Sequence, residues 1–281
     1  MSKHIVILGG RGMLGTDVNQ CCTQRGLPTT VYDLPEFDLC NEQHIAKAVR
    51  QGDIIINCAA YTNVEKAESE KDLACRVNSQ AVGFLGQAAK QAGVPVIHIS
   101  TDFVFDGTLD RPYRETDQTN PISVYGASKL DGEKQLSASG CTHCIVRVQW
   151  TYGHAGTNFV KKIIKAAETR DTLSVIDDQI GSPTATTEAA RVLCDLVEMN
   201  NLPEDVFHLA AGGYVSRYEM TQFIFNQLGI NTTVNPCRTS DFKTVAQRPL
   251  NSRFDCTKIE TLLKRTMRPW TEPLKEFLET L

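Results

Sequence analysis

The chain lacks the marks of several large protein classes. Across its 281 residues no apolar run approaches the ~20 residues that a membrane-spanning helix needs. Neither sign of charge prevails, since 29 Lys and Arg against 33 Asp and Glu leave a formal net charge of −4 with the charges interspersed. A basic face for nucleic acid and a polybasic patch for a membrane surface are therefore both missing. No internal repeat, low-complexity tract or flexible linker divides the chain. Ten cysteines are present, but no framework for disulfides: they are scattered, mostly inside apolar runs such as Ile56-Asn57-Cys58-Ala59. Reduced, buried thiols are expected. Cys141-Thr142-His143-Cys144 has metal-ligand spacing, yet no second Cys or His pair lies near it and Cys144 opens an apolar strand, so neither a zinc site nor a redox role is expected. The N-terminal run H-I-V-I-L-G-G is too short for a signal h-region. A soluble cytoplasmic protein is the resulting expectation.

What is there is an alternation of strands and helices. His4 to Leu8 reads as a buried parallel strand, and a helix should open near Met13. Between them G-G-R-G-M-L-G fits two spacings, Gly10-Gly12-Gly15 or Gly9-Gly12-Gly15. Either permits a tight turn and close approach of backbone N–H groups to a pyrophosphate. A second strand, Thr29 to Tyr32, ends at Asp33, where a ribose-binding acid should lie; a plain loop acid is the alternative. A carboxylate there favours NADH, whereas Arg11 beside the turn could recruit the 2′-phosphate of NADPH. The cofactor is thus read as NADPH or NADH. Asp53 to Asn57 and Val96 to Ser100 supply further strands, the first ending in C-A-A-Y-T-N, the second in Ser100-Thr101-Asp102-Phe103. Small residues Cys58, Ala59 and Ala60 would let the chain pass beneath a flat cofactor, or simply fill core. Residues 64–72 read as a charged, solvated helix and 73–92 as one long helix, with Asn78 inside it needing a partner.

After a long turn-rich loop, N-P-I-S-V-Y-G-A-S-K-L-D-G-E-K places Tyr125 and Lys129 on one face of a helix. An ammonium beside a phenol favours the phenolate and lowers its pKa, so such a pair can move a proton near neutral pH. Any amphipathic helix can also carry this pair by chance. Beyond the strand 142–148 the strict alternation loosens. Helices at 158–168, 187–199 and 217–228 accompany strands at 173–176 and 206–209. The expected architecture is α/β: a doubly wound, Rossmann-type parallel sheet with a smaller C-terminal substrate-binding region. Residues 1–150 would bind the dinucleotide, 173–210 would partly return to that domain, and 151–281 would mainly form the substrate-binding region.

Gly9, Gly12 and Gly15, Ser100-Thr101, and Tyr125 with Lys129 resemble the extended short-chain dehydrogenase/reductases, and within them the dTDP-4-dehydrorhamnose reductases. The carrying segments are N-C-A-A-Y-T-N-V-E-K-A-E, S-T-D-F-V-F-D-G, the Tyr125 helix, Arg147 to Gly153, T-N-F-V, D-D-Q-I-G-S-P-T and R-P-L-N-S-R. The resemblance implies reduction of a 4-keto-6-deoxy sugar carried on a nucleotide diphosphate, with Tyr125 as proton donor. Lys129 would lower the Tyr125 pKa and bind the nicotinamide ribose, and Thr101 would hold the carbonyl oxygen. It further implies cofactor contacts from Gly9, Arg11, Gly12, Met13, Leu14 and Gly15, then from Asp33, Asp38 and Leu39, and then from Cys58, Ala59, Ala60, Tyr61 and Thr62. Val64, Asp102, Phe103 and Trp150 would lie near the sugar, with packing as the alternative for Val64, Phe103 and Trp150. Arg248 would pair with a substrate phosphate or remain a surface charge. Gln149 departs from the small hydroxyl residue common before the Trp. Some relatives dimerise around magnesium; here Asp17 could stand in for one ligand but Thr187 falls where another is sought, so no metal is expected, while a homodimer is admitted. The tail A-Q-R-P-L-N-S-R-F-D-C-T-K-I-E-T-L and D-F-V-F-D-G-T also resemble the regulatory beta subunit of methionine adenosyltransferase. An epimerase or dehydratase of the same superfamily is a third reading.

Overall fold

Short apolar runs that bury both faces build the central sheet. The computed structural model describes residues 3–281. It opens with β1 (Ile5–Leu8), α1 (Met13–Gln24), β2 (Thr29–Tyr32), α2 (Glu42–Val49) and β3 (Ile54–Asn57). There follow α3 (Val64–Ala67), α4 (Lys71–Cys75), α5 (Ala81–Ala92), β4 (Val96–Thr101), α6 (Val124–Ser139) and β5 (His143–Val148). The second half contains β6 (Thr151–Tyr152), α7 (Phe159–Ala167), β7 (Thr172–Ile176), β8 (Ile180–Gly181), β9 (Thr184–Ala185), α8 (Thr186–Glu198) and β10 (Val206–Leu209). The chain continues through β11 (Val215–Ser216), α9 (Arg217–Leu228), β12 (Thr233–Cys237), α10 (Thr257–Leu263) and α11 (Thr271–Leu278).

Six strands pair in parallel in the order β10-β5-β4-β3-β1-β2, with Ile5 opposite both Thr29 and Ile54. Ile5, Ile7, Ile54 and Ile56 face α1 and α8, where Val18 and Leu193 pack on them. Val6, Leu8 and Ile55 face the other way, onto Ile45, Leu85 and Leu136 of α2, α5 and α6. The sheet is doubly wound. Strand order reverses beside β1, which opens a crevice over the carboxyl ends of β1 and β3, the usual ligand position in such sheets. Helix α8 and strand β10 join this sheet and its core. Strand β7 instead pairs with β12, and α7, α9 and α11 pack with them into a separate apolar cluster.

Two helical expectations require correction. The helix expected over 64–72 is interrupted between α3 and α4, and the long helix expected over 73–92 contains a π-helical turn at Arg76–Gln80. Asn78 supplies the physical reason. It is buried in that turn, accepts from the Tyr61 N–H at 2.8 Å, and donates to the Tyr61 carbonyl and the Ser128 hydroxyl, each at 3.0 Å. The wider turn turns this amide toward two neighbouring segments at once. Among the described residues no helix is long and apolar enough to cross a membrane.

Candidate active site

A cleft of about 720 Å³ runs over the carboxyl ends of the central strands. At one end Gly9, Gly12, Met13, Leu14 and Gly15 line it. A Cβ on Gly15 would stand 2.3 Å from the Gly9 carbonyl oxygen, so this turn closes only on glycine. No side chain caps α1 behind Gly12, which leaves its leading amides free for an anion. Asp33 sits alongside, its carboxylate accepting from the N–H groups of Arg11 and Leu34, both at 2.8 Å. Asp38, Leu39, Cys58, Ala59, Ala60 and Thr62 continue the same wall.

The proton-transfer groups stand further along. Ser123 caps α6 by accepting from the Gly126 N–H at 3.2 Å, which puts Tyr125 and Lys129 in its first turns. Helix α6 approaches the Asp102–Val104 turn so closely that a Cβ on Gly126 would lie 2.2 Å from the Phe103 carbonyl. Tyr125 then meets Phe103 edge to face at 5.4 Å. The Thr101 hydroxyl donates to Asp102 at 3.0 Å, and Ser252 donates to the other oxygen of that carboxylate at 2.5 Å. Asp102 is buried, and burial pushes its carboxyl up despite these two donors.

The expected lowering of the Tyr125 pKa is not found. Burial pushes its phenol up to about 12, with the Thr101 hydroxyl opposing and the Asp102 carboxylate adding to the shift. Lys129 is buried and donates to the Ile99 carbonyl at 2.7 Å, with His98 Nε2 at 3.3 Å. Burial lowers its own pKa to about 8, with Glu133 and Cys58 pulling the other way. The structure therefore presents a phenol that is protonated across the neutral range and so carries a proton to give.

Val64, Asp102, Phe103 and Trp150 line the remaining wall. Three expected residues do not turn into the cleft. Arg11 is exposed, held by the Leu34 carbonyl at 3.2 Å and by Glu36 at 2.8 Å. The Tyr61 hydroxyl donates to Glu70 at 2.5 Å, which draws the ring outward. Arg248 pairs with Glu65. The last carrying segment reaches the site instead through Ser252 on Asp102. Sequence reasoning also missed Arg217, which lines the cleft and stands over the Trp150 ring at 3.5 Å. A cation at the first position of a helix, against the dipole, was the available signal. Trp150 itself adopts a left-handed backbone, φ 45°, a strained conformation for an aromatic residue and one common at ligand sites.

With the glycine turn, the Tyr125–Lys129 helix and Thr101 gathered on one cleft, comparison with known proteins is decisive. A family model described as the RmlD substrate binding domain matches residues 3–281. The chain is 38% identical to a dTDP-4-dehydrorhamnose reductase of Sinorhizobium fredii, over 88% of this chain and 87% of the relative. The chain belongs to the dTDP-4-dehydrorhamnose reductase family. A second member, from Salmonella typhimurium, is 36% identical over 98% of this chain and 97% of its own length. The crystal structure of the Bacillus anthracis family member in complex with NADP superimposes with a TM-score of 0.95 at 32% identity, covering all of both chains.

Proposed function

We propose that the protein reduces the C4 ketone of dTDP-4-dehydro-6-deoxy-L-mannose to give dTDP-L-rhamnose, using NADPH or NADH. The observation that carries the reading is the convergence of Tyr125, Lys129 and Thr101 beside a glycine turn that a single Cβ would block. That turn and the uncapped α1 amides fit a dinucleotide pyrophosphate, and Asp33 fits a ribose. The nicotinamide, when bound, supplies the hydride. Lys129 holds the nicotinamide ribose. Thr101 holds the ketone oxygen, its hydroxyl turning from Asp102 to do so, and Tyr125 donates its phenolic proton to that oxygen as C4 accepts the hydride. Val64, Asp102, Phe103 and Trp150 frame the sugar. Arg11 rests on an exposed ion pair with Glu36 that holds it only weakly, so it can swing to a 2′-phosphate.

We assign dinucleotide binding to residues 1–150 with the α8–β10 return, and nucleotide-sugar binding mainly to residues 151–281. A cytoplasmic setting suits a consumer of reduced nicotinamide, and a homodimer is compatible with the reading. Full-length identity to reductases weighs against the regulatory-subunit and epimerase readings.

The test is oxidation of NADPH and NADH by purified protein with the dTDP-4-keto sugar, followed by their absorbance. Tyr125→Phe should abolish turnover while leaving cofactor affinity within about twofold, because only the proton is removed. Unchanged turnover would sink the proposed donor.

A further inference from the structure

Helix α9 starts with a cation where a helix least favours one, because Arg217 is its first residue. The acid of that first turn, Glu219, is committed to the cap: it accepts from the Ser216 N–H at 2.9 Å and its own N–H donates to the Ser216 hydroxyl at 3.0 Å. The Arg217 guanidinium stands 3.5 Å from the Trp150 ring centroid and 4.8 Å from that of Phe159. Among the described residues it has no hydrogen-bond or ion-pair partner. The Asp102 carboxylate acts on it as an opposing charge but bonds to the Ser252 and Thr101 hydroxyls, not to the guanidinium. The charge of Arg248 repels it, and Arg248 is itself tied to Glu65.

Beside Trp150 a second donor is also unpartnered. Gln149 is 1% exposed; its Oε1 accepts from the Ser182 N–H at 3.1 Å while its Nε2 bonds to nothing. Buried polar groups are rarely left so, and both groups line the cleft. A guanidinium and an amide NH₂ are donors only, so the group that completes them is rich in acceptors, and the planar fork selects phosphate or carboxylate. The dinucleotide's own pyrophosphate is served elsewhere, by the α1 turn.

We propose that Arg217, braced on Trp150, binds the diphosphate of the sugar nucleotide. The nature of that ligand rests on the reductase reading above. Trp150 and Phe159 set the plane of the fork, and the left-handed backbone at Trp150 places the indole beneath it. Arg217 is thereby the residue that distinguishes a nucleotide diphosphate sugar from a free keto sugar or a nucleoside monophosphate.

Calorimetric titration of wild type, Arg217→Met and Arg217→Lys with dTDP, UDP, dTMP and NADPH tests the assignment. Arg217→Met should weaken dTDP binding by roughly 10- to 100-fold, the loss expected for hydrogen bonds to a charged group. NADPH affinity should stay within about twofold, and Arg217→Lys should recover part of the loss, since it restores charge without the fork. Equal dTDP affinity in wild type and Arg217→Met would overturn the proposal, as would equal losses for dTDP and NADPH. Failure of the wild type to bind either nucleoside diphosphate would overturn it too. Turnover separates the two readings. A wild type that binds dTDP through Arg217 but does not reduce the dTDP-4-keto sugar removes the reductase function and leaves this subsite standing.

Discussion

Lys129, rather than Tyr125, is the group whose charge changes in the working pH range. Its ammonium, lowered to about 8 by burial, is present below that pH and lost above it, whereas the Tyr125 phenol stays protonated up to about 12. The value of kcat/KM for ketone reduction should therefore fall as pH rises through about 8, well before tyrosine ionises. A pH–rate profile of wild type and Lys129→Met checks this: the variant should be slower and flat across that range, and an alkaline limb surviving in it would assign the ionisation elsewhere. His98 beside Lys129 does not complicate the profile. Burial foremost, then the charge of Lys129, keep it neutral far below neutral pH. The chain advertises the pair through its spacing alone, but spacing carries no information about burial, and burial decided which of the two groups titrates.

Helix α6 owes its position to more than its apolar contacts. Glu133, one turn beyond Lys129, forms a two-pronged pair with Arg147 of β5 at 2.9 and 2.6 Å and accepts from Ser100 of β4 at 2.5 Å. Both charged side chains are about 95% buried. Removing one partner strands the other charge, so Glu133→Ala should cost about 3–5 kcal/mol in denaturant unfolding, with loss of turnover as Tyr125 drifts. The double change Glu133→Met with Arg147→Met should recover most of that stability. A full loss in the double variant would mean that the pair does more than cancel its own burial. The helix was legible in the sequence through the four-residue spacing of Tyr125 and Lys129; its tether was not, because Arg147 lies 14 residues away on a strand whose side-chain directions are set by pairing. The π-helical turn was hidden for a related reason. Asn78 was recognisable as a polar residue in need of a partner, but the partners lie in Tyr61 and Ser128, and only their positions force the extra residue into the turn.

At the scale of the whole molecule, one carboxylate beside the cleft ties α3 to the chain 180 residues further on. Glu65, next to the cleft residue Val64, accepts from the N–H groups of Val245 and Ala246 at 2.9 and 3.4 Å and from Arg248. Burial raises its carboxyl, but the Arg248 guanidinium and the two amides more than offset this and hold it below the ordinary carboxylate range. Because its folded pKa is depressed, the tie is intact at neutral pH and is lost only as pH falls through that lowered value. Glu65→Ala should raise KM for the nucleotide sugar several-fold while leaving NADPH affinity unchanged, which steady-state kinetics and cofactor titration would separate. Equal effects on both ligands would show that the Glu65 contacts with residues 245–248 do not serve the sugar side. The alternation of strands and helices, the glycine turn, the place of Asp33 after β2 and the Tyr125–Lys129 helix were all legible in the chain, because each is written in local periodicity or spacing. That Arg248 pairs with Glu65 while Arg217 lines the cleft without a carboxylate could not be read from the chain, since residues separated by most of its length set which cation finds an acid.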